Sequence, residues 1–486
     1  MNKHIQHKLA AVVILIFLSG LSCSKKFLEE PPRQVTIEDL LNNPTDGAQR
    51  MVAAVYNKLY DWNLHTFSWI GISSITSDDA EKGSLLGDAG TDKDLLDNWT
   101  FDASSFSFDE VWVGNYEGIG RACYALQYLP TMDIEDGSKN RYIGECKMLR
   151  AYFYWNLLRM FGGVPKVDHV LQSQEEVLAA STRATAEEIY AFIEADLQDA
   201  INALPPTIQA EEYGRLSKGA AEGLLAKVMM YEKKWPESKA LVDAIINSNQ
   251  YALVTDYATI WREVGEFSSE SLWEVNCIGV TPNKGVQQYT SVQDIRPRGW
   301  GFNIPSLDLV NAYEPGDKRK DATIMFQGET LWDGEVFPAS APNPRYNYKS
   351  YISRTQESYN GNDDNTNKNL RLIRYGEILL IKAEVENELG DTAASKTALN
   401  AIRARAGLGP KFAYSQDSLR QSIYKERRVE MAFEHDRMFD LRRTGRAEAV
   451  LKALGKPYVS PKHDLFPIPQ AEIALSGGRL TQNTGY

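Results

Sequence analysis

"LLAKVMMYEKKWPESKALVDAII" (224–246) and "LLIKAEVENELGDTAASKTALNAIR" (379–403) follow one plan. Each runs LL-x-K, an apolar stripe at helical spacing, a turn, a small residue and a second apolar stripe. Leu224-Leu225-Ala226-Lys227 aligns with Leu379-Leu380-Ile381-Lys382. Val242, Ala244 and Ile245 align with Leu399, Ala401 and Ile402 once two extra residues are allowed. Small residues let paired helices approach closely, which is the logic of tetratricopeptide units of about 34 residues. Neither copy carries the full consensus of such units.

The same period recurs upstream. In "EIYAFIEADLQDAINALPP" (188–206), Ile189, Ile193, Leu197, Ile201 and Leu204 step by three or four, and the prolines stop the helix. "VWVGNYEGIGRACYALQYL" (111–129) and "GECKMLRAYFYWNLLRMFGGVP" (144–165) behave alike. Trp112 and Trp155 fall inside these amphipathic helices and read as core. From about 251 to 370 the period disappears. This stretch is rich in Gly, Pro, Asn and Asp, yet it holds Tyr257, Trp261, Trp273, Trp332, Tyr346, Tyr348 and Tyr351, and aromatics argue against disorder. Trp273, in "SLWEV", reads as a buried strand residue. The expected fold is mainly α, a tetratricopeptide-like helical-repeat scaffold over about 41–250 and 371–486 that carries a large irregular, loop-rich lobe over about 251–370.

The chain opens on a basic stretch, "MNKHIQHK", followed by the uncharged "LAAVVILIFLSGL" and then Cys23. A spanning helix needs about 20 apolar residues, so this run reads as an export signal instead. Small residues leading directly into a cysteine are the pattern of a bacterial lipoprotein signal. Residues 1–22 would be removed and the Cys23 thiol acylated, anchoring the protein to a membrane. Residues 23–40, polar and proline-bearing, read as the lipidated tether. The net charge is −12, which disfavours nucleic acid as a partner. Cys123, Cys146 and Cys277 lack ligand-like spacing, so neither a disulfide framework nor a metal site is expected, and at most one pair among them.

"IRYGEILLIKAEVENELGD", "LNAIRARAGL", "YKERRVEMAFEHDRMFDLRRTGRA" and "LFPIPQAEI…QNTGY" resemble the C-terminal signature of the SusD/RagB family. "CSKKFLEEPP", "MLRAYFYWNLLRMFGGVP", "GWG" (299–301) and "YEPGDKR" (313–319) resemble it upstream, in the same order. The end of the chain, "SGGRLTQNTGY", lacks the family's usual prolines. The resemblance implies a lipoprotein on the outer face of the outer membrane. It would cap a SusC-like TonB-dependent transporter, bind a nutrient, usually a glycan, and act without enzymatic activity or cofactor. Peptide capture in the manner of RagB and glycoside hydrolysis are the alternatives, and a structural scaffold without a small ligand is a further one.

"ERRVEMAFEHDRMFDLRR" (426–443) is dense in charge, but Glu426, Glu430 and Glu434 lie on one helical face with arginines at nearby steps. Such pairs within a helix add about 0.2–0.5 kcal/mol each. The reading is structural, with Glu430→Gln expected to reduce stability only slightly. A glycosidase would need two carboxylates roughly 5–9.5 Å apart across a cleft, and no local motif supplies them. "NGNDDNTNKN" (360–369) lacks the order of a calcium loop and reads as a solvated turn.

Sugars offer C–H faces to aromatic rings and hydroxyls to Asp, Asn and Arg. Two stretches combine these: "LYDWNLHTFSW" with "DLLDNWTF", and "QQYTSVQDIRPRGWGF". The candidate glycan-binding residues are therefore Asp61, Trp62, Asn63, Trp99, Tyr289, Arg298 and Trp300. Trp99 and Trp300 are expected to converge as platforms, with Asp61 and Asn63 beside them.

Overall fold

The computed structural model describes residues 36–486 apart from 86, 87, 89, 90, 280–284, 297, 413 and 414. The export signal, Cys23 and the first part of the tether lie outside the described residues. The long helices are α1 (Pro44–Asn57), α2 (Phe106–Tyr128), α3 (Asp136–Phe161), α4 (Ala186–Ala203), α5 (Lys218–Tyr231), α6 (Trp235–Asn247), α7 (Tyr375–Glu388), α8 (Thr392–Arg405) and α9 (Gln416–Met431). Each packs on the next in this order from α1 to α8, and α9 packs mainly on α7. The chain is mainly α, with a tetratricopeptide-like stack of helices.

Local chemistry sets the ends. Thr185 caps α4 in a capping box with Glu188, and the stripe Ile189, Ile193, Leu197, Ile201 and Leu204 is buried. Helix α3 stops at Gly162, whose φ of 73° suits glycine.

The internal repeat is α5–α6 against α7–α8, in a register different from the LL-x-K match. The helices align end to end, Lys218 with Tyr375, Tyr231 with Glu388 and Trp235 with Thr392. No extra residues are needed. Lys233 (φ 60°) and Gly390 (φ 89°) hold the same left-handed turn position. The buried hydroxyls of Ser238 and Ser395 donate to the carbonyls of Ala226 and Ala383 in the preceding helix, at 2.8 and 2.6 Å. Lys227 and Lys382 are thus not equivalent. Lys227 pairs with Glu377 and Asp436, whereas Lys382 pairs with Asp243 and Glu386.

Between α6 and α7 lies the non-periodic segment. The strands are β1 (Ala80–Gly83), β2 (Ser271–Val275), β3 (Phe302–Pro305), β4 (Ile324–Phe326), β5 (Arg345–Asn347) and β6 (Leu370–Arg374). Antiparallel β2–β6 ties the start of the segment to its end, and Trp273 on β2 is buried. β1–β3 and β4–β5 pair likewise. Ile295, Ile304, Met325, Leu331, Phe337 and Tyr346 form a small apolar core of its own. Most aromatics of this segment are therefore spent on packing. The free thiols of Cys123, Cys146 and Cys277 are buried. Residues 360–367 close on themselves, with Asn360 and Asn362 accepting from the backbone N–H of Asn362 and Asp364. Among the described residues no His, Cys, Asp and Glu group could hold a metal, and no helix is long and apolar enough to cross a membrane.

Two histidines sit deep where the helices meet the lobe. His65 Nδ1 bonds the Leu59 carbonyl at 2.9 Å and Nε2 meets the Tyr152 hydroxyl at 2.8 Å. His435 faces Ser73 and Tyr289. Burial pulls both down to about 4; Lys58 adds to the effect at His65, and His65 adds to it at His435. Folded values below the unfolded 6.5 favour the native state fully above pH 6.5, and this is lost as pH falls toward 4. From pH 6.5 to 5.5 the pair should remove about 2 kcal/mol of stability. Denaturant melts at the two pH values, compared with a His65→Gln/His435→Gln variant, check this: the variant should lose that part of the slope.

Candidate functional site

The segment after α1 begins the site. Val55, Lys58 and Leu59 share the inward face of the helix end, so Lys58 enters the interior and is fully buried. A buried ammonium must be paired. Lys58 Nζ donates to Asn63 Oδ1 at 2.8 Å, Asp61 Oδ2 at 3.0 Å and Glu117 Oε2 on α2 at 2.5 Å. One cation thereby fixes Asp61 and Asn63. With Oδ1 held on the ammonium, the Asn63 NH₂ is the donor left for a ligand. Gly114 on α2 is required here, because a Cβ would lie 2.2 Å from the Asn63 carbonyl oxygen.

Trp62 is half-buried. Its Nε1 donates to Glu110 Oε1 at 3.2 Å, and Ser68 donates to the other oxygen of the same carboxylate. Trp300 arrives from the lobe, also half-buried, with ring centroids 6.2 Å apart and planes at 50°. Phe67 backs both indoles, at 6.2 Å from Trp62 and 5.9 Å from Trp300. Lys93 lies over the Phe67 ring at 4.2 Å and is anchored by Asp92 and Ser107. The Trp300 backbone is held from both sides: its N–H donates to Ser291 at 2.8 Å, and its carbonyl accepts from Ser84 at 2.8 Å and Arg296 at 2.9 Å. Gly301 follows at φ 75°, in the left-handed region.

The structure thus brings together Asp61, Trp62, Asn63 and Trp300. It does not bring Trp99, Tyr289 or Arg298 to them as ligand groups. Trp99 is 3% exposed, packed among Phe101, Tyr458, His463 and Phe466, with Nε1 donating to Thr76 at 2.9 Å. An indole enclosed on its faces and bonded at its nitrogen is core. Tyr289 is buried with its hydroxyl on His435. Arg298 is committed to Asp294 through Nε and Nη2 at 2.6 and 2.9 Å and to Glu335 at 2.7 Å, so its fork is already filled. Lys58, Glu110, Glu117 and Phe67 were not among the sequence candidates. Only Lys58 left a signal, a lysine on the apolar side of an amphipathic helix.

The paired indoles and the fixed Asp61 and Asn63 can take a ring with an apolar face and polar edges. Comparison with known proteins points the same way. Residues 260–486 match the model of the SusD family, and residues 26–230 match a model described as starch-binding associating with outer membrane. SusD-like protein P2 of Formosa agariphila is 26% identical, the match covering 99% of this chain and all of that protein. A SusD-like protein of Bacteroides ovatus is 22% identical over 88% of this chain and 81% of its own length. Among solved structures, a laminarin-binding SusD-like protein superposes with TM-score 0.79 and 27% identity over 91% of this chain and 99% of its own. Surface glycan-binding protein A from Bacteroides thetaiotaomicron, in complex with laminarihexaose, gives TM-score 0.77 and 25% identity over 90% and 99%.

Proposed function

Because the chain belongs to the SusD/RagB family, we propose that it is a surface lipoprotein that captures a glycan and passes it to a SusC-like TonB-dependent transporter. The observation that carries this reading is the Trp62–Trp300 ring pair beside Asp61 and Asn63, whose polar groups are oriented by the buried Lys58. The rings receive the apolar face of a sugar, and Asp61 and Asn63 read its hydroxyls. Glu110 is taken up by Trp62 and Ser68, and Glu117 by Lys58, so these two carboxylates orient side chains rather than attack a glycosidic bond. Acylated Cys23 and the tether of residues 23–40 hold the domain at the outer membrane. The neighbour seen with laminarihexaose makes a β-glucan the first ligand to test.

Protein beginning at residue 24 should migrate more slowly in native gels containing its polysaccharide, and should release no reducing ends from it. A panel of laminarin, starch, xylan, mannan and inulin covers the chemistry. Free migration in every gel would overturn the glycan reading, and sustained release of sugar would make the protein a hydrolase. In cells, Cys23→Ala should shift the protein out of the membrane fraction. A variant that still pellets as a processed lipoprotein would refute the anchor.

A further inference from the structure

A second cleft is lined by neither of the two indoles. One wall is a stripe along α1 that continues to Tyr60, recurring at steps of three and four and including Val52, Tyr56 and Tyr60. The other wall carries Tyr213, Arg215 and Asn276. The groove between them holds about 370 Å³, within the range of small-molecule sites, about 300–1,000 Å³. The tyrosine hydroxyls bridge the walls. Tyr60 donates to the Asn276 carbonyl at 2.8 Å, and Tyr56 accepts from the Leu216 N–H at 3.0 Å. The rings are therefore fixed before any ligand arrives. Asn276 Nδ2 donates to the Tyr213 carbonyl at 2.9 Å, which leaves its Oδ1 as an acceptor. Arg215 is set by two bonds to Glu145, at 2.9 and 2.6 Å.

Across Tyr213, Gly214 and Arg215 opens a second basin of about 240 Å³. Its lining is different, with Ser217, Gln250, Tyr251, Ser268 and Ser271. Between the basins stands a ridge, the rings of Tyr213 and Phe267, stacked 4.6 Å apart at 19°. Tyr213 is 43% exposed. The backbone is bent to make this ridge. Gly214 has φ 97°, with Asn276 Cβ only 2.5 Å from where a Cβ would stand, and Phe267 has φ 51°, a region bulky residues rarely adopt. Strain of this kind persists where the surroundings over-determine it, often at a ligand clamp.

We propose that this cleft is a second carbohydrate site, in which a pyranose chain crosses the Tyr213–Phe267 ridge. The chain lays one sugar on the tyrosine-walled groove and the next in the hydroxyl-lined basin. An acyl chain would offer the serines no hydrogen-bond partner, whereas sugar hydroxyls supply both donors and acceptors. The inference rests on the glycan reading above. It adds a contact whose lining includes neither Trp62 nor Trp300. Two weak sites on one body hold a polysaccharide more firmly than either alone.

Native gels containing laminarin, starch, xylan, mannan or inulin test it with the whole protein from residue 24. In the gel that retards the wild type, Trp300→Ala should still be slowed. Adding Tyr213→Ala and Phe267→Ala should cut the remaining retardation severalfold. Thermal melts verify folding, and if Phe267→Ala unfolds the chain, exposed Tyr213→Ser serves alone and should cut the residual retardation severalfold. A combined variant that migrates like Trp300→Ala, or Trp300→Ala that already runs freely, would overturn the second site while leaving the first. A wild type that no polysaccharide retards would overturn the glycan reading, and this inference with it.

Discussion

Glu430→Gln should lower folding stability by about 3–5 kcal/mol, the range for uncompensating a buried ion pair. Glu430 is fully buried at the end of α9. Its carboxylate accepts from Arg374 at 2.6 Å, from Arg319 at 3.0 Å and from Arg405. These arginines come from β6, from the lobe and from α8, so one side chain pins three elements together. Arg374 also reaches Glu270 at 2.8 Å and, through Nε, Glu434 at 2.7 Å, and Lys349 of the lobe meets Glu434 at 2.8 Å. Burial alone would raise the Glu430 carboxyl. Arg405, Arg374 and Arg319 outweigh it and hold the group far below the usual carboxylate range. A depressed folded value means that its contribution is complete above about pH 4.5 and is lost as pH falls below it. The glutamine variant removes this charge at every pH and leaves buried guanidinium groups facing an amide. Calorimetric melts at pH 7 and pH 4 measure the effect, and the gap between variant and wild type should narrow at the lower pH. An unchanged melting temperature at pH 7 would show that the network contributes nothing.

That prediction reverses the expectation of a small loss, and the reason is instructive. Spacing along "ERRVEMAFEHDRMFDLRR" reveals which residues share a helical face, but not what that face meets. Within one solvated helix, carboxylates and arginines would satisfy each other weakly. Here the same face is buried, and the partners Arg319, Arg374, Arg403 and Arg405 lie outside the motif. Period and turn chemistry were legible. The stripe of α4, its proline stop and the glycine stop of α3 read directly, because each is local. The internal repeat was legible as a repeat, while its register was not. Two leucines in a row occur by composition, whereas the register is set by the left-handed turn at Lys233 and Gly390 and by the seats of Ser238 and Ser395. Trp99 failed as a ligand residue for a similar cause. A tryptophan beside Asp97 and Asn98 looks solvated in sequence, but its partners Tyr458, His463 and Phe466 come from the far end of the chain. Asp61, Trp62, Asn63 and Trp300 met because the Phe67 ring and the pairing of β1 with β3 carry the lobe back to the end of α1.

Trp62→Ala and Trp300→Ala should each weaken glycan binding about tenfold or more. A sugar face resting on an indole removes apolar area from water. At about 25 cal/mol per Å², even 60 Å² amounts to roughly 1.5 kcal/mol, which is about tenfold in affinity. The two rings stand 6.2 Å apart and tilt by 50°, so a chain lying on both would have to bend, and the proposed site would select curvature as well as ring chemistry. Because the rings touch a common neighbour in Phe67, removing one shifts the other. The double variant should therefore fall short of the product of the single losses. Phenylalanine at either position keeps a flat face, so Trp62→Phe should recover part of the loss, whereas a purely structural role for Trp62 through Glu110 would leave the phenylalanine variant as weak as alanine. Trp99→Ala is the control. It deletes a buried indole, so it should lower stability by about 3–5 kcal/mol while the affinity of the folded fraction stays at the wild-type value. Titration calorimetry with the polysaccharide identified in the gels, paired with thermal melts, separates the two classes. Wild-type affinity in both Trp62→Ala and Trp300→Ala would remove the indole pair from the site, and a binding loss in Trp99→Ala without a change in melting would return Trp99 to it.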